Sequence, residues 1–480
     1  MLVVVVLYAL ASAFLVAVGL HLGVLAGVRA TRPARPVPTE QPPVWPPVLV
    51  QVPVYNEPPA LVARVLDAVG QTAYAGPVRV QLLDDSTDGS AADNAGTCAA
   101  RGVEHVRRGS REGFKAGALA AGLGRSDAPF AAVLDVDFVP PPDFLTRTVG
   151  ALVADGGLAF AQARWVHPEA EATALGRVQA AVLDVHFAVE QGGRDRAGLP
   201  IAFNGTAGTW RTAAIRDVGG WHGDTLAEDL DLALRAQLGG WRARLLHDLT
   251  VPATLPPTLA AWRVQQTRWT KGGVEVGRKL LGRVWRSGLP LVTRVAVTMQ
   301  TLVALALPAL LTIVLLHPWV AVGQAVGAAP AVVMQALSAG YLALGGVLFA
   351  HAVAQRAIYP ATWRRRLARV PLVLAAPLAL VGPASRGVAE ALAGRRSPFV
   401  RTPKDGRGGP ARVPLADLAL ALYSVGGAVA VGAAGAWAAL PFQAILAVGS
   451  VALVVSLRAG RAPRPLTAAR PVEAARAQAA

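Results

Sequence analysis

Cysteine is almost absent: Cys98 is the single one in 480 residues. That excludes an internal disulfide and any zinc site built on several thiolates, and it leaves Cys98 as a packed thiol. The eight histidines show no HExxH or comparable ligand spacing, so none is assigned to a metal. Charge is scarce too, at 16% of residues against 53% apolar ones, with a mean hydropathy of +0.43. Such a balance argues against a wholly soluble chain. Lysine is the rarest cation: Lys115, Lys271, Lys279 and Lys404 stand against forty-two arginines. Where arginine is the default, a lysine such as Lys115 marks either chance or a site that wants a compact ammonium for a phosphate oxygen.

The apolar residues are unevenly spread. Residues 2–28 carry no charge and are followed by Arg29, Arg32 and Arg35. This exceeds the roughly 20 residues that cross a bilayer, and the basic flank lies on the wrong side for a cleaved signal peptide. It reads as a retained transmembrane helix with its downstream end in the cytoplasm. Residues 295–316, 331–353, 413–434 and 438–457 are further spans. A short run at 370–381 contains Pro377 and lies between two basic stretches, 364–369 and 395–412, so it reads as re-entrant or interfacial. Five crossings then leave the centre of the chain, both basic loops and the tail in the cytoplasm. The net charge of +16 belongs to those loops and to anionic membrane lipids rather than to nucleic acid.

Between Pro46 and Pro256 the pattern alternates strand and helix. Apolar runs at 48–52, 78–83, 103–106 and 130–134 read as strands; 60–69 and 115–123 read as helices. This is an α/β domain with a mostly parallel sheet, whose ligand belongs at the carboxyl ends of the strands. The acidic motifs fall there. Asp135-Val136-Asp137 closes a strand, and residues i and i+2 of a strand point the same way, so the two carboxylates converge on a site for a divalent ion and a diphosphate. Asp84-Asp85-Ser86-Thr87-Asp88 is a turn and cap for the next helix, through Thr87 or Asp88, or a carboxylate site for a nucleobase. Glu228-Asp229 opens a helix that ends before Gly239. It either complements the helix dipole or supplies a general base for a sugar hydroxyl. Gln265, Arg268 and Trp269 share a helical face suited to a pyrophosphate and a stacked sugar, while Trp262 and Arg263 fit as interfacial anchors.

In order, these motifs resemble the processive inverting glycosyltransferases of family 2, the cellulose synthase-like enzymes. Asp135-x-Asp137 is similar to the family's metal-binding Asp-x-Asp, Glu228-Asp229 to its Thr-Glu-Asp, and Gln265-x-x-Arg268-Trp269 to its Gln-x-x-Arg-Trp. The segment from Phe203-Asn204-Gly205 to Trp210-Arg211, and Phe399-Val400-Arg401-Thr402-Pro403-Lys404, look most like the mannan and glucomannan synthase branch. Ala227 departs from the pattern, standing where the family has Thr.

The resemblance implies a GT-A-like nucleotide-sugar-binding domain with an α-helical transmembrane region, and a hexosyltransferase activity. It implies Asp229 with Glu228 as the catalytic pair, Asp84 or Asp85 with Glu57 and Lys115 on the nucleotide, and Asp135 and Asp137 on a divalent metal, Mg2+ or Mn2+. Gln265, Arg268, Trp269 and Asn204 would hold the pyrophosphate and acceptor. The expected organisation is a transmembrane helix at 1–30, a proline-rich linker at 31–47 and a cytoplasmic catalytic domain at 48–255. Interfacial helices follow at 256–288, then transmembrane helices at 289–457 with a basic loop at 394–412, and a disordered tail at 458–480. The expected substrates are GDP-mannose or UDP-glucose and a growing β-linked polysaccharide, at the cell (inner) membrane. Transfer of one sugar to a membrane lipid is the rival within enzymes; a transporter or scaffold with a degenerate domain is the rival outside them.

Overall fold

The computed structural model describes residues 1–36, 42–328, 332–397, 400, 402 and 413–459. Part of the linker, most of the 394–412 loop including Lys404, and the tail after Ala459 lie outside the described residues. The first element is helix α1 (Leu2–Thr31), uncharged until its last turn. The α/β unit follows: β1 (Val48–Val54), α2 (Pro59–Gly70), β2 (Val78–Asp84), α3 (Ser90–Ala99), β3 (Glu104–Arg107), α4 (Phe114–Leu123), β4 (Phe130–Val133), α5 (Phe144–Ala154) and β5 (Leu158–Val166). Helices α6 (Ala174–Val185) and α7 (Gly192–Ala197) are joined by a π-helical turn at His186–Gln191. Then come β6 (Gly208–Arg211), α8 (Thr212–Asp217), α9 (Glu228–Leu238) and β7 (Arg242–Pro252).

Among the described residues, seven strands form one sheet in the order β3-β2-β1-β4-β6-β5-β7. β1 pairs in parallel with β2 and β4, β2 with β3, and β5 with β7. β6 alone runs antiparallel, between β4 and β5. The sheet is buried on both faces, because alternate residues of one strand point to opposite sides. Val48, Val50, Val52 and Val54 join the core under α2, α3 and α5, with Val62, Cys98 and Phe144. Leu49 joins the opposite core under α4, α8 and α9, with Leu119, Ile215 and Leu232. Cys98 is buried, as a packed thiol should be.

After the sheet, α10 (Leu259–Arg286) is a single helix of 28 residues, where several interfacial ones were expected. Thr258 caps it, its hydroxyl accepting from the Ala261 N–H at 3.2 Å. The remaining helices are α11 (Leu291–Leu302), α12 (Ala306–Ala325), α13 (Val332–Ile358), α14 (Trp363–Arg366), α15 (Val370–Ala375), α16 (Val381–Leu392), α17 (Leu415–Ala433) and α18 (Leu440–Ala459). Leu2–Thr31, Leu291–Ala325, Gly340–Ile358 and Leu415–Ala433 are long and apolar enough to cross a membrane. Trp363–Ala379 and Val381–Leu392 form a pair bent by 45°, the shape of a broken span or a re-entrant loop. Leu440–Val455 is apolar but shorter.

Trp262 and Arg263 do not anchor an interface. Trp262 is buried beside Val178 and Leu380. Arg263 donates to both carboxylate oxygens of Asp417 on α17, at 2.7 and 2.9 Å, and to the Ala379 carbonyl at 2.6 Å. Desolvation makes a buried guanidinium costly unless it is paired, and this bidentate clamp ties α10 to the apolar helices.

Candidate active site

The parallel register of β1 with β2, running from Val48 opposite Val78 to Val54 opposite Asp84, ends both strands at one level. β4 ends beside them, and a cavity of about 190 Å³ opens above all three. Its walls carry Glu57, Asp85, Lys115, Asp135, Asp137, Asn204, Glu228, Asp229, Gln265, Arg268 and Trp269. Eleven of the twelve residues singled out from the sequence therefore meet in one place. Asp84 is the exception. It is buried and accepts hydrogen bonds from the Ser86 N–H (2.9 Å), Asn94 Nδ2 (3.0 Å) and His105 Nε2 (2.9 Å). Burial raises its pKa, but these donors outweigh it and hold the carboxyl below its ordinary value. Asp84 organises the turn; Asp85 faces the cavity, gripped by Arg108 Nε at 3.0 Å and by Nη2. The turn is tied to the one after β1, where the Thr87 N–H donates to Asn56 Oδ1 at 2.8 Å. Neither expected residue is the cap: the N-cap of α3 is Gly89, and Asp88 just before it accepts from the Ser90 N–H at 3.0 Å.

The two carboxylates of Asp135-Val136-Asp137 come together differently from the strand argument. β4 ends at Val133, and the motif lies in the following turn, so strand alternation does not aim them. Asp135 is positioned instead by Thr206, whose hydroxyl accepts from its N–H at 2.8 Å, and by Lys115, whose Nζ is 2.6 Å from Oδ1. The same ammonium donates to the Gly205 carbonyl at 2.9 Å. Burial lowers the Lys115 pKa, but Asp135, Glu228 and Asp229 together raise it above the ordinary value. Two hard-oxygen donors on the wall of a cavity fit a divalent cation such as Mg2+ or Mn2+. Among the described residues, His222, Asp224 and Asp231 also approach one another, but they lie off this wall. Lys279 pairs with two of them, its Nζ 2.7 Å from Asp224 and 3.0 Å from Asp231.

Glu228 and Asp229 form the first turn of α9 behind Ala227, which offers no side-chain cap. Desolvation, and then the charge of Asp229, push Glu228 up to about 7. Desolvation also raises Asp229, although the Leu230 N–H donates to its Oδ1 at 2.8 Å and Lys115 and Arg268 oppose the shift. Desolvation lowers Arg268 while these acids sustain its charge. α10 comes this close because Gly272 faces Ala227: a Cβ there would lie 2.8 Å from the Ala227 Cβ. The small residue in place of Thr thus meets a glycine across the helix contact.

A second, larger cavity of about 1200 Å³ runs among the apolar helices. It shares Trp165, Leu183, Asn204, Ala227, Asp229 and Trp269 with the first. Sequence reasoning missed Trp165, whose ring centroid lies 6.3 Å from that of Trp269, and Arg111, which stacks 3.3 Å over the Tyr55 ring. The strand-end rule applied to β5 would have found Trp165; nothing local singles out Arg111. Thr402 also lines the small cavity.

Residues 131–369 match the model of the Glycosyl transferase family group 2. Glucomannan 4-beta-mannosyltransferase 1 of Oryza sativa subsp. japonica is 37% identical over 284 residues, 55% of this chain and 54% of that protein. Glucomannan 4-beta-mannosyltransferase 2 of Arabidopsis thaliana is 39% identical over 252 residues, 51% and 47% respectively. The chain thus spans about half the length of the curated relatives it matches. In fold it is similar to a mannosyltransferase from Pyrobaculum calidifontis in complex with GDP-Man and Mn2+. The TM-score is 0.57 at 19% identity, covering 81% of this chain and 99% of that one.

Proposed function

We propose that this chain, which belongs to glycosyl transferase family group 2 through its domain at residues 131–369, is a membrane-embedded inverting hexosyltransferase extending a β-linked polysaccharide. One observation carries the reading: Asp229 lies on the wall of both cavities, the one with the nucleotide-side carboxylates and the one among the apolar helices. A base at that junction meets a donor from one side and an acceptor from the other. Mannose is the sugar favoured by relatives named as mannosyltransferases, with GDP-mannose the donor and UDP-glucose the alternative.

In this reading Asp85 and Glu57 face the nucleoside, and Gln265 and Arg268 hold the diphosphate. Trp269, with Trp165 beside it, offers the acceptor ring an aromatic face. Asp229 takes the proton of the attacking hydroxyl as that oxygen bonds to the anomeric carbon. The bond to the nucleoside diphosphate breaks in the same displacement, which turns an α-linked donor into a β-glycoside. Burial suits Asp229 to this task, since a carboxylate of raised pKa is the stronger base. A divalent cation held by Asp135 and Asp137 would neutralise charge on the departing diphosphate. Lys115 holds Asp135 in place, and its ammonium offsets charge on the same side. The polymer leaves through the larger cavity, with the catalytic domain on the cytoplasmic face of the cell membrane.

Purified protein incubated with a panel of labelled nucleotide sugars tests the reading. A ladder of products supports chain extension and a single spot supports transfer to a lipid. Neither hydrolysis nor transfer with any donor would leave a transporter or scaffold.

A further inference from the structure

The junction of the two cavities is organised by residues outside the motifs above. The turn His186–Gln191 is π-helical, a local widening that recurs at functional sites. It places His186, Glu190 and Gln191 on the wall of the larger cavity. The Gln191 amide is fixed by two bonds to Ala202: the Ala202 N–H donates to Oε1 at 3.0 Å, and Nε2 donates to the Ala202 carbonyl at 2.8 Å. Its Nε2 is therefore a donor, and it also lies 3.4 Å from Asn204 Oδ1. That contact fixes which way the Asn204 amide is turned. His186 Nε2 is 3.2 Å from the same oxygen, and His186 Nδ1 is 2.7 Å from Glu190 Oε2. Both partners offer acceptor oxygens, so the imidazolium, with a proton on each ring nitrogen, is the form of His186 that satisfies both contacts.

With its oxygen held by two donors, Asn204 keeps its NH2 group buried and without a hydrogen-bond partner among the described residues. Such a donor is costly unless a ligand completes it. Asn204 lines both cavities, as Asp229 does. The next residue, Gly205, is so close to the Asp229 carboxylate that a Cβ would lie 2.7 Å from Oδ2.

We propose that His186, backed by Glu190, is a positioning residue. It holds the Asn204 NH2 so that it donates to a ring hydroxyl of the acceptor sugar, beside the hydroxyl that Asp229 deprotonates. The inference rests on the reading that a sugar acceptor enters this junction, and it deepens that reading by defining the first acceptor subsite.

Other titratable groups lie on the elements packed against the turn. Arg194 on α7 lies near Glu190 and donates to His21 Nε2 on α1 at 3.0 Å, so that histidine accepts and is neutral. His351 on α13 lines the same cavity. Asp184 on α6 is engaged with Gln355 Nε2 at 2.9 Å, and His247 on β7 faces Arg29 at 3.3 Å. Burial lowers the His186 pKa, but the Glu190 carboxylate more than offsets it and the net direction is upward. Once the ring gives up a proton at higher pH, one ring nitrogen turns a lone pair toward an acceptor and the hold on its partner is lost.

The test uses the full chain with β-linked manno-oligosaccharide primers, varying donor and primer independently. Glu190→Gln keeps an acceptor for His186 but removes the charge. The alkaline limb of kcat/KM for the primer should move to lower pH by about one unit, with the donor KM unchanged. His186→Gln should raise the primer KM roughly tenfold while the donor KM stays within about twofold. An unmoved alkaline limb in the first variant, or equal rises in both KM values in the second, overturns the proposal. Should His186→Gln not fold, the pH profile of Glu190→Gln alone decides. A wild type that transfers no sugar from any nucleotide donor would overturn the functional reading itself, a result distinct from either variant outcome.

Discussion

Replacing Gly205 by Ala adds one methyl against the Asp229 carboxylate. Gly205 has φ +80°, and its added Cβ would lie 2.7 Å from Asp229 Oδ2 and 3.5 Å from Lys115 Nζ. Ordinary contact begins at 3.4 Å, so the carboxylate must retreat by 0.7 Å. Left-handed backbone costs a residue with a Cβ about 1–2 kcal/mol, which should appear as a modest fall in melting temperature. The larger effect is on rate, because a misplacement near 1 Å at reacting atoms can cost ~100-fold. A fall in kcat of about 10- to 100-fold is therefore expected, read as initial transfer rates from labelled donor. Gly89→Ala is the control: a Cβ there meets nothing within 4 Å among the described residues, and turnover should be retained. A folded Gly205→Ala enzyme with turnover within about twofold of wild type would refute the claim that Asp229 acts at the reacting atoms.

Asp229→Asn should retain donor binding, measured by titration with nucleotide sugar, and lose at least ~100-fold in transfer; near-normal turnover would remove Asp229 from the mechanism. Asp135→Ala and Asp137→Ala should each abolish transfer, as should excess chelator on wild type; full activity in chelator would end the metal assignment. Glu228 is pushed up to about 7 from an ordinary 4.5, so folding favours its protonated form. The resulting penalty is absent below pH 4.5 and complete above pH 7. Glu228→Gln, neutral throughout, should therefore raise the melting temperature at pH 8 and lose that advantage towards pH 5; an advantage that does not vary with pH would contradict this. In a Cys98→Ser background, cysteines near Arg366 and near Lys404 should both label from the cytoplasmic side only, and labelling of either from outside would make the bent pair a crossing.

The sequence alone determined four of the seven described strands and singled out most of the carboxylates that line the small cavity. Period-2 and period-3.6 patterns are local, so the four strands at 48–52, 78–83, 103–106 and 130–134 could be read directly and differ from the structure by a residue or two at their ends. Asp85 and Asp135 lie at the edge to which the strand-end rule points, because parallel strands with helical crossovers leave their following turns at one edge. Tertiary structure decided what local pattern cannot encode. β6 inserts antiparallel between β4 and β5, a pairing between residues some eighty positions apart such as Phe130 and Arg211, and no periodicity specifies a partner at that distance. Asp84 and Asp85 are adjacent and chemically identical; only the arrival of Asn94 and His105 makes one structural and leaves the other facing the cavity. Arg263 looks like an interfacial anchor until Asp417, 154 residues later, closes on it. Asn204 becomes the hinge between two cavities only because a π-turn carries His186 and Gln191 to its carbonyl oxygen. In each case an ionisable or amide group takes its role from a partner distant in the chain. Burial and hydrogen bonding act on neighbours in space, and the fold alone chooses those neighbours.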